Sequence, residues 1–107
     1  LGPAEKLAAL DAVCDALAHP ARRQILMAVA VCGGSLNAGY LASRFDCSWP
    51  TVSRHLRVLE DAGLLIPERR GRERHYRLNT NAVGVLDDWL SWLRVKPAPG
   101  GTDDNNV

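Results

Sequence analysis

Three kinds of side chain in this sequence could do chemistry: thiols, imidazoles and carboxylates. Cys14, Cys32 and Cys47 are scattered, so they form neither a disulfide framework nor a paired CxxC zinc motif. Cys14 falls on an apolar helical stripe and reads as a small buried hydrophobe. Cys32 and Cys47 fall at a helix end and a turn, where they would be accessible. Ser53 and His55 lie two apart on a predicted helix, so they do not face each other as nucleophile and base. Asp87 and Asp88 are adjacent and would point roughly 100° apart, a poor transition-metal site. No Gly-rich phosphate loop or paired-acid constellation occurs. The chain is therefore expected to be no enzyme and to carry no cofactor. What remains is arginine.

The arginines are not spread evenly. Residues 43–77 hold eight arginines against five acids. Residues 1–42 hold three basic and three acidic groups, and residues 78–107 hold two against four. The formal net charge of +1 hides this segregation. A basic middle segment is what a phosphate-contacting surface needs.

The element that would carry this surface is a short helix within residues 46–63. Ser48 reads as its N-cap, Pro50 is tolerated in its first turn, and Gly63 can take the left-handed turn that ends it. Val52, Leu56 and Leu59 share one face at i, i+4, i+7. Arg54 and Arg57 lie opposite, with Trp49, Thr51 and Ser53 near the N-terminus. An ordinary amphipathic surface helix would share this pattern, so the next segment matters. Leu64-Leu65-Ile66, the basic run 67–74 and His75-Tyr76-Arg77-Leu78 read as strand, turn and strand, with Gly71 at the tip. Helix followed directly by a basic hairpin is the arrangement of a winged helix-turn-helix, whose second helix enters the DNA major groove.

The sequence resembles the ArsR/SmtB family of bacterial transcriptional repressors. The matching pieces are Ala16-Leu17-Ala18-His19-Pro20-Ala21-Arg22-Arg23-Gln24-Ile25-Leu26, Thr51-Val52-Ser53-Arg54-His55-Leu56-Arg57-Val58-Leu59, Ala62-Gly63-Leu64-Leu65, and residues 71–78. They occur in family order and spacing over roughly residues 7–95. The resemblance implies a mainly α chain with a small β-hairpin, in the order four helices, two strands and a last helix, assembled as a homodimer. It implies double-stranded DNA as partner, at a near-palindromic operator. It places Ser48, Trp49, Thr51, Ser53, Arg54, His55 and Arg57 on the recognition helix, and Arg69, Arg70, Arg72 and Arg74 on the wing. Trp49 departs from the glutamine frequent in relatives.

The remaining elements follow in order. Leu1-Gly2-Pro3 reads as chain end without secretory leader character, and residues 4–95 as one domain. Ala4 to Ala18 forms a helix with Leu7, Leu10, Cys14 and Leu17 on one stripe. His19-Pro20 interrupts it, and Pro20 opens a second helix to about Val31 with Ile25, Leu26 and Val29 inward. His19 sits where relatives often carry an acidic or polar cap; a histidine is a weaker cap, and a structural role rather than a sensing one is expected of it. Residues 32–35 read as a loop. Asn37 caps a third, positioning helix with Tyr40, Leu41, Ala42 and Phe45, linked to the reading helix by Asp46-Cys47 alone. A last helix runs from about Thr80 to Arg94, and residues 96–107 read as a disordered tail. No apolar run reaches transmembrane length, so a cytoplasmic protein with reduced thiols is expected.

Arsenic-sensing members of the family place cysteines where this chain has Asn37, Gly39 and Ala42. Zinc-sensing members place Asp and His on the last helix, where this chain has Asp87 and Asp88 but no histidine. No metal is therefore expected. The pattern Leu86-Asp87-Asp88-Trp89-Leu90 is similar to metal-free autorepressors of the superfamily. Two alternatives stay open: arsenite or redox sensing through Cys14, Cys32 or Cys47, and a winged-helix protein-interaction module that binds no DNA. The apolar residues Leu7, Leu10, Cys14, Leu86, Trp89, Leu90, Trp92 and Leu93 exceed what so small a core can absorb and are expected at the dimer interface.

Overall fold

In the computed structural model, which describes residues 2–45 and 48–95, the chain forms five helices and three strands. These are α1 (Pro3–Leu17), α2 (Pro20–Val31), β1 (Ser35–Asn37), α3 (Ala38–Arg44), α4 (Trp49–Asp61), β2 (Leu65–Arg70), β3 (Glu73–Leu78) and α5 (Thr80–Trp92). The Asp46-Cys47 link and the tail beyond Val95 lie outside the described residues.

Capping residues set most boundaries. Asn37 Oδ1 accepts from Gly39 N–H at 2.6 Å and from Tyr40 N–H at 3.3 Å, which starts α3. Asn79 Oδ1 accepts from Asn81 N–H at 3.1 Å to start α5, and its Nδ2 donates to Gly63 O at 2.8 Å. Asn79 thereby ties the first turn of α5 to the end of α4. Gly63 has φ +80°, the left-handed turn that stops α4. Ser48 is the N-cap of α4, but its hydroxyl lies 3.1 Å from the Thr51 hydroxyl and makes no bond to the backbone of the first turn.

The expected hairpin is one part of a three-stranded antiparallel sheet in the order β1-β3-β2. β1 lies where the sequence suggested a loop ending at Ser35. Gly33 and Gly34, at φ +88° and +96°, turn the chain back after α2. Leu36 then pairs with Tyr76 and is buried. One apolar residue between two polar ones is too short a pattern to announce a strand, so only β3, lying beside it, reveals it.

The core sits between the helices and the inner face of the sheet. Ile25, Val29, Leu41, Val52, Leu56 and Leu59 are all essentially inaccessible. The stripe expected for α4 is thus the one buried. α1 differs: it buries Leu10, Val13 and Ala16, while Leu7 and Cys14 are exposed. Cys14 is therefore no buried filler. α1 is apolar on more than one side, so its periodicity alone does not select the buried face, and the close packing partners select Val13 and Ala16 instead. The α1–α2 corner is fixed by Arg22 and Arg23, which donate to Ala16 O at 2.7 Å and Leu17 O at 2.6 Å. No described helix is long and apolar enough to cross a membrane.

Candidate nucleic-acid interface

α4 buries one face completely and leaves the other bare. Trp49, Ser53, Arg54 and Arg57 are exposed, and Thr51 is half-buried. Pro50 and the β/extended conformation of Ser48 set the first turn at the open end of the helix, so its small polar groups face outward there. Arg57 lies 3.4 Å from Asp61 one turn on, a solvent-exposed pair that a phosphate could displace at little cost. Arg54 has no carboxylate partner among the described residues.

His55 stands apart from this exposed set. Its ring packs on His19 with centroids 4.6 Å apart, and its Nδ1 is buried without a hydrogen-bond partner among the described residues. Burial, and then the neighbouring His19, Arg22 and Arg54, hold its imidazole below the usual histidine range.

The wing is a tight two-residue turn in which Gly71 adopts φ +65°, and Arg70 pairs with Glu73 across it. The wing arginines are not equivalent. Glu68 holds Arg77 at 2.9 Å and Arg70 at 3.2 Å, and these bonds keep its carboxyl below the usual carboxylate range. Arg74 stacks on Tyr76 at 5.6 Å and reaches Glu60 of α4 at 3.8 Å. Arg69 and Arg72 have no such partner among the described residues. The sequence reading placed Arg69, Arg70, Arg72 and Arg74 together as wing contacts, and the structure divides them into two engaged and two unengaged side chains.

One basic residue escaped the sequence-derived set. Arg44 ends α3, donates to the Tyr40 hydroxyl at 2.8 Å and stacks on its ring at 5.5 Å. The i, i+4 spacing of Tyr40 and Arg44 was the available signal. It lies on the positioning helix, α3.

At the other end of the chain, α5 buries only Ala82 and packs along α1. Leu7, Trp89, Leu90, Trp92 and Leu93 remain exposed, Trp92 at 82%. Leu10 is buried within the domain, and Leu86 packs half-buried on its core, so these two serve the monomer first. A groove of about 430 Å³ between the two helices is lined by Leu7, Leu10, Val85, Trp89 and Trp92, with Lys6, Asp88 and Ser91 at its edge.

A helix-turn-helix domain model matches residues 17–68, which hold α2 to α4 and the start of the wing. An ArsR-like transcriptional regulator from Rhodococcus shares the fold at a TM-score of 0.70 and 28% identity, over 81% of this chain and 80% of that one. The chain is also 36% identical over 84 residues to the transcriptional repressor SdpR of Bacillus subtilis, covering 78% of this chain and 88% of the repressor. The chain belongs to the ArsR family. It is a DNA-binding transcriptional repressor with a winged helix-turn-helix fold. A further similar structure is a homodimeric winged helix-turn-helix DNA-binding domain from Mycobacterium bovis; it matches at a TM-score of 0.67 and 26% identity, over 83% of this chain and 82% of that one.

The metal positions of ArsR-family sensors are otherwise employed here. Asn37 spends its carbonyl oxygen on capping α3. Asp87 lies 3.8 Å from Arg94. Among the described residues no group of three or more His, Cys, Asp or Glu is placed to hold a metal ion. Cys14 and Cys32 are free, exposed thiols, and Cys47 lies outside the described residues.

Proposed function

We propose that the protein works in the cytoplasm as a metal-independent homodimeric repressor that reads a near-palindromic operator through α4. In this reading Arg54 addresses base edges in the major groove, with Trp49, Thr51 and Ser53 beside it. Arg57 serves a phosphate. Arg69 and Arg72 serve phosphates or the minor groove from the wing. The observation that carries the reading is the distribution of unpaired arginines. Arg54, Arg69 and Arg72 have no carboxylate partner among the described residues, whereas Arg70, Arg74 and Arg77 are engaged by Glu68 and Glu60. Unpaired guanidinium groups on a helix and its adjoining wing suit the polyanionic surface of a duplex.

One domain offers one reading helix, which makes too few contacts for specificity. The uncovered apolar residues of α1 and α5 supply the means of pairing two. A two-fold axis through that face would place two copies of α4 in successive major grooves, about 34 Å apart. The homodimeric relative from Mycobacterium bovis supports this assembly.

The test is selection of duplexes from a random-sequence pool by the full chain, with and without a chelator. The expected product is a motif with two-fold symmetry and half-sites one helical turn apart, bound equally well in both conditions. An asymmetric motif, no enrichment, or loss of binding together with a stoichiometric metal would reject the reading.

A further inference from the structure

His19 and His55 meet between two parts of the fold that must agree if α4 is to be held in place. His19 is the N-cap of α2 at the α1–α2 corner, and His55 follows Arg54 on α4. Their rings are tilted by 50° with centroids 4.6 Å apart. Both α1 and α2 pack on α4.

Ala21 N–H donates to His19 Nδ1 at 3.3 Å, so that nitrogen must keep its lone pair. A proton there would turn the acceptor into a donor and remove the cap. It would also set a cation at the positive end of the α2 dipole, where the first turn holds Arg22 and Arg23 and no acid. Nδ1 of His55 is buried and has no partner among the described residues, so a proton on it would find no acceptor. The charged groups that act on His55 are His19, Arg22 of α2 and Arg54 of its own helix, all cations when charged. Asp15 of α1 contributes only its backbone carbonyl, which accepts from Arg22 Nη2 at 3.2 Å. His75 shows the contrast: its Nε2 lies 3.1 Å from a carboxylate oxygen of Glu73.

We propose that His19 and His55 are positioning residues forming a proton-responsive contact: with both rings neutral α4 keeps its DNA-competent pose, and a proton taken from solvent by either ring drives the α1–α2 corner and α4 apart. A charge on His19 opposes a proton on His55. The repressor is then released from DNA by acidification. This direction is opposite to that of a histidine touching phosphate, whose protonation strengthens binding.

The proposal rests on α4 being the reading helix, and its test separates the two. A fluorescent duplex selected from a random pool at pH 7.5 is titrated at pH 7.5 and 5.5 with the native chain and with the double variant His19→Asn/His55→Gln, which keeps an N-cap acceptor at position 19 and carries neither imidazole of the pair. Histidine ring signals and the Trp49 indole N–H are followed by NMR over the same range without DNA. The native chain is expected to lose affinity by about tenfold on acidification, the equivalent of one unit of pKa difference between bound and free protein. The double variant is expected to lose less than about threefold on the same scale. The Trp49 signal should shift with the His55 ring in the native chain and stay still in the variant. Affinity that is constant or rises at pH 5.5, or an equal fall in both proteins, overturns the proposal. So does a Trp49 signal indifferent to the titration of His55. Failure of DNA binding at pH 7.5 rejects α4 as the reader, while the NMR titration still decides whether the contact responds to protons.

Discussion

Arg74 joins the wing to the recognition helix: its Nη2 lies 3.8 Å from Glu60 Oε2, and its guanidinium covers the ring of Tyr76 at 5.6 Å. Glu60 is near the C-terminal end of α4 and Arg74 is on β3, so this pair helps fix the hairpin against the helix it accompanies. Directly across the ladder from Arg74 is Arg69. Like charges at such a position repel. Glu60 offsets the repulsion on the Arg74 side and leaves Arg69 with its charge unanswered.

The wing arginines should therefore separate in their response to salt. Arg69→Ala or Arg72→Ala is expected to flatten the logarithmic dependence of DNA affinity on salt by about one unit, for every sequence alike. Arg70→Ala should change it less, since Glu68 already holds that charge. Titrations at several salt concentrations measure this, and equal slopes for all three variants would contradict it.

Arg54→Ala should act on sequence preference. A bidentate arginine–guanine contact carries roughly 1–3 kcal/mol of discrimination. The variant is expected to keep its thermal stability, because Arg54 is exposed, and to lose preference at one base of each half-site. Repeating the duplex selection with the variant checks this; an unchanged motif would mean another residue reads that base.

Trp89→Glu is expected to give a folded monomer with weak, non-specific DNA binding. Trp89 is 43% exposed in the single chain and sits beside the Leu7 groove. A tryptophan buries on the order of 200 Å² when covered, so a charge in its place removes the apolar gain and adds desolvation. Sedimentation of the native and variant chains decides the matter. A variant that remains dimeric would move the interface away from α5.

Leu56→Ala should destabilise the fold by about 2–5 kcal/mol, the usual range for emptying a packed core position. Leu56 is 1% exposed, on the buried face of α4. Denaturant unfolding provides the number, and a loss under about 1 kcal/mol would show that the site can collapse around the gap.

Stability should also fall in acid through His55. Its folded-state affinity for a proton lies below the usual value of 6.5, chiefly from burial and then from His19, Arg22 and Arg54. The unfolded chain therefore binds more protons than the folded chain just below that pH. The contribution is complete above about pH 6.5 and is lost as pH falls through the folded value. Urea midpoints between pH 7.5 and 5.5 should decline in the native chain and decline less in His55→Gln; parallel curves would assign the loss to other groups.

The sequence by itself determined the five helices, the hairpin and one of the two surfaces. Val52, Leu56 and Leu59 repeat at helical spacing and share their helix with arginines, so α4 was legible with its buried and exposed sides. Asn37 and Gly63 announced helix ends because capping and left-handed turns are local chemistry that needs no partner strand. The tryptophans of α5 were readable as more apolar surface than one small domain absorbs. The tertiary structure decided what depends on contacts distant in sequence. β1 exists because β3 offers it a ladder. α1 turns Val13 and Ala16 inward and Cys14 outward because its neighbours choose among several apolar sides. Arg69 and Arg72 differ from Arg70 and Arg74 only through Glu68 and Glu60, and His55 faces His19 because two helices separated by more than thirty residues pack there. Periodicity reports which side of an element avoids water; it carries no information about which charge or ring will stand opposite.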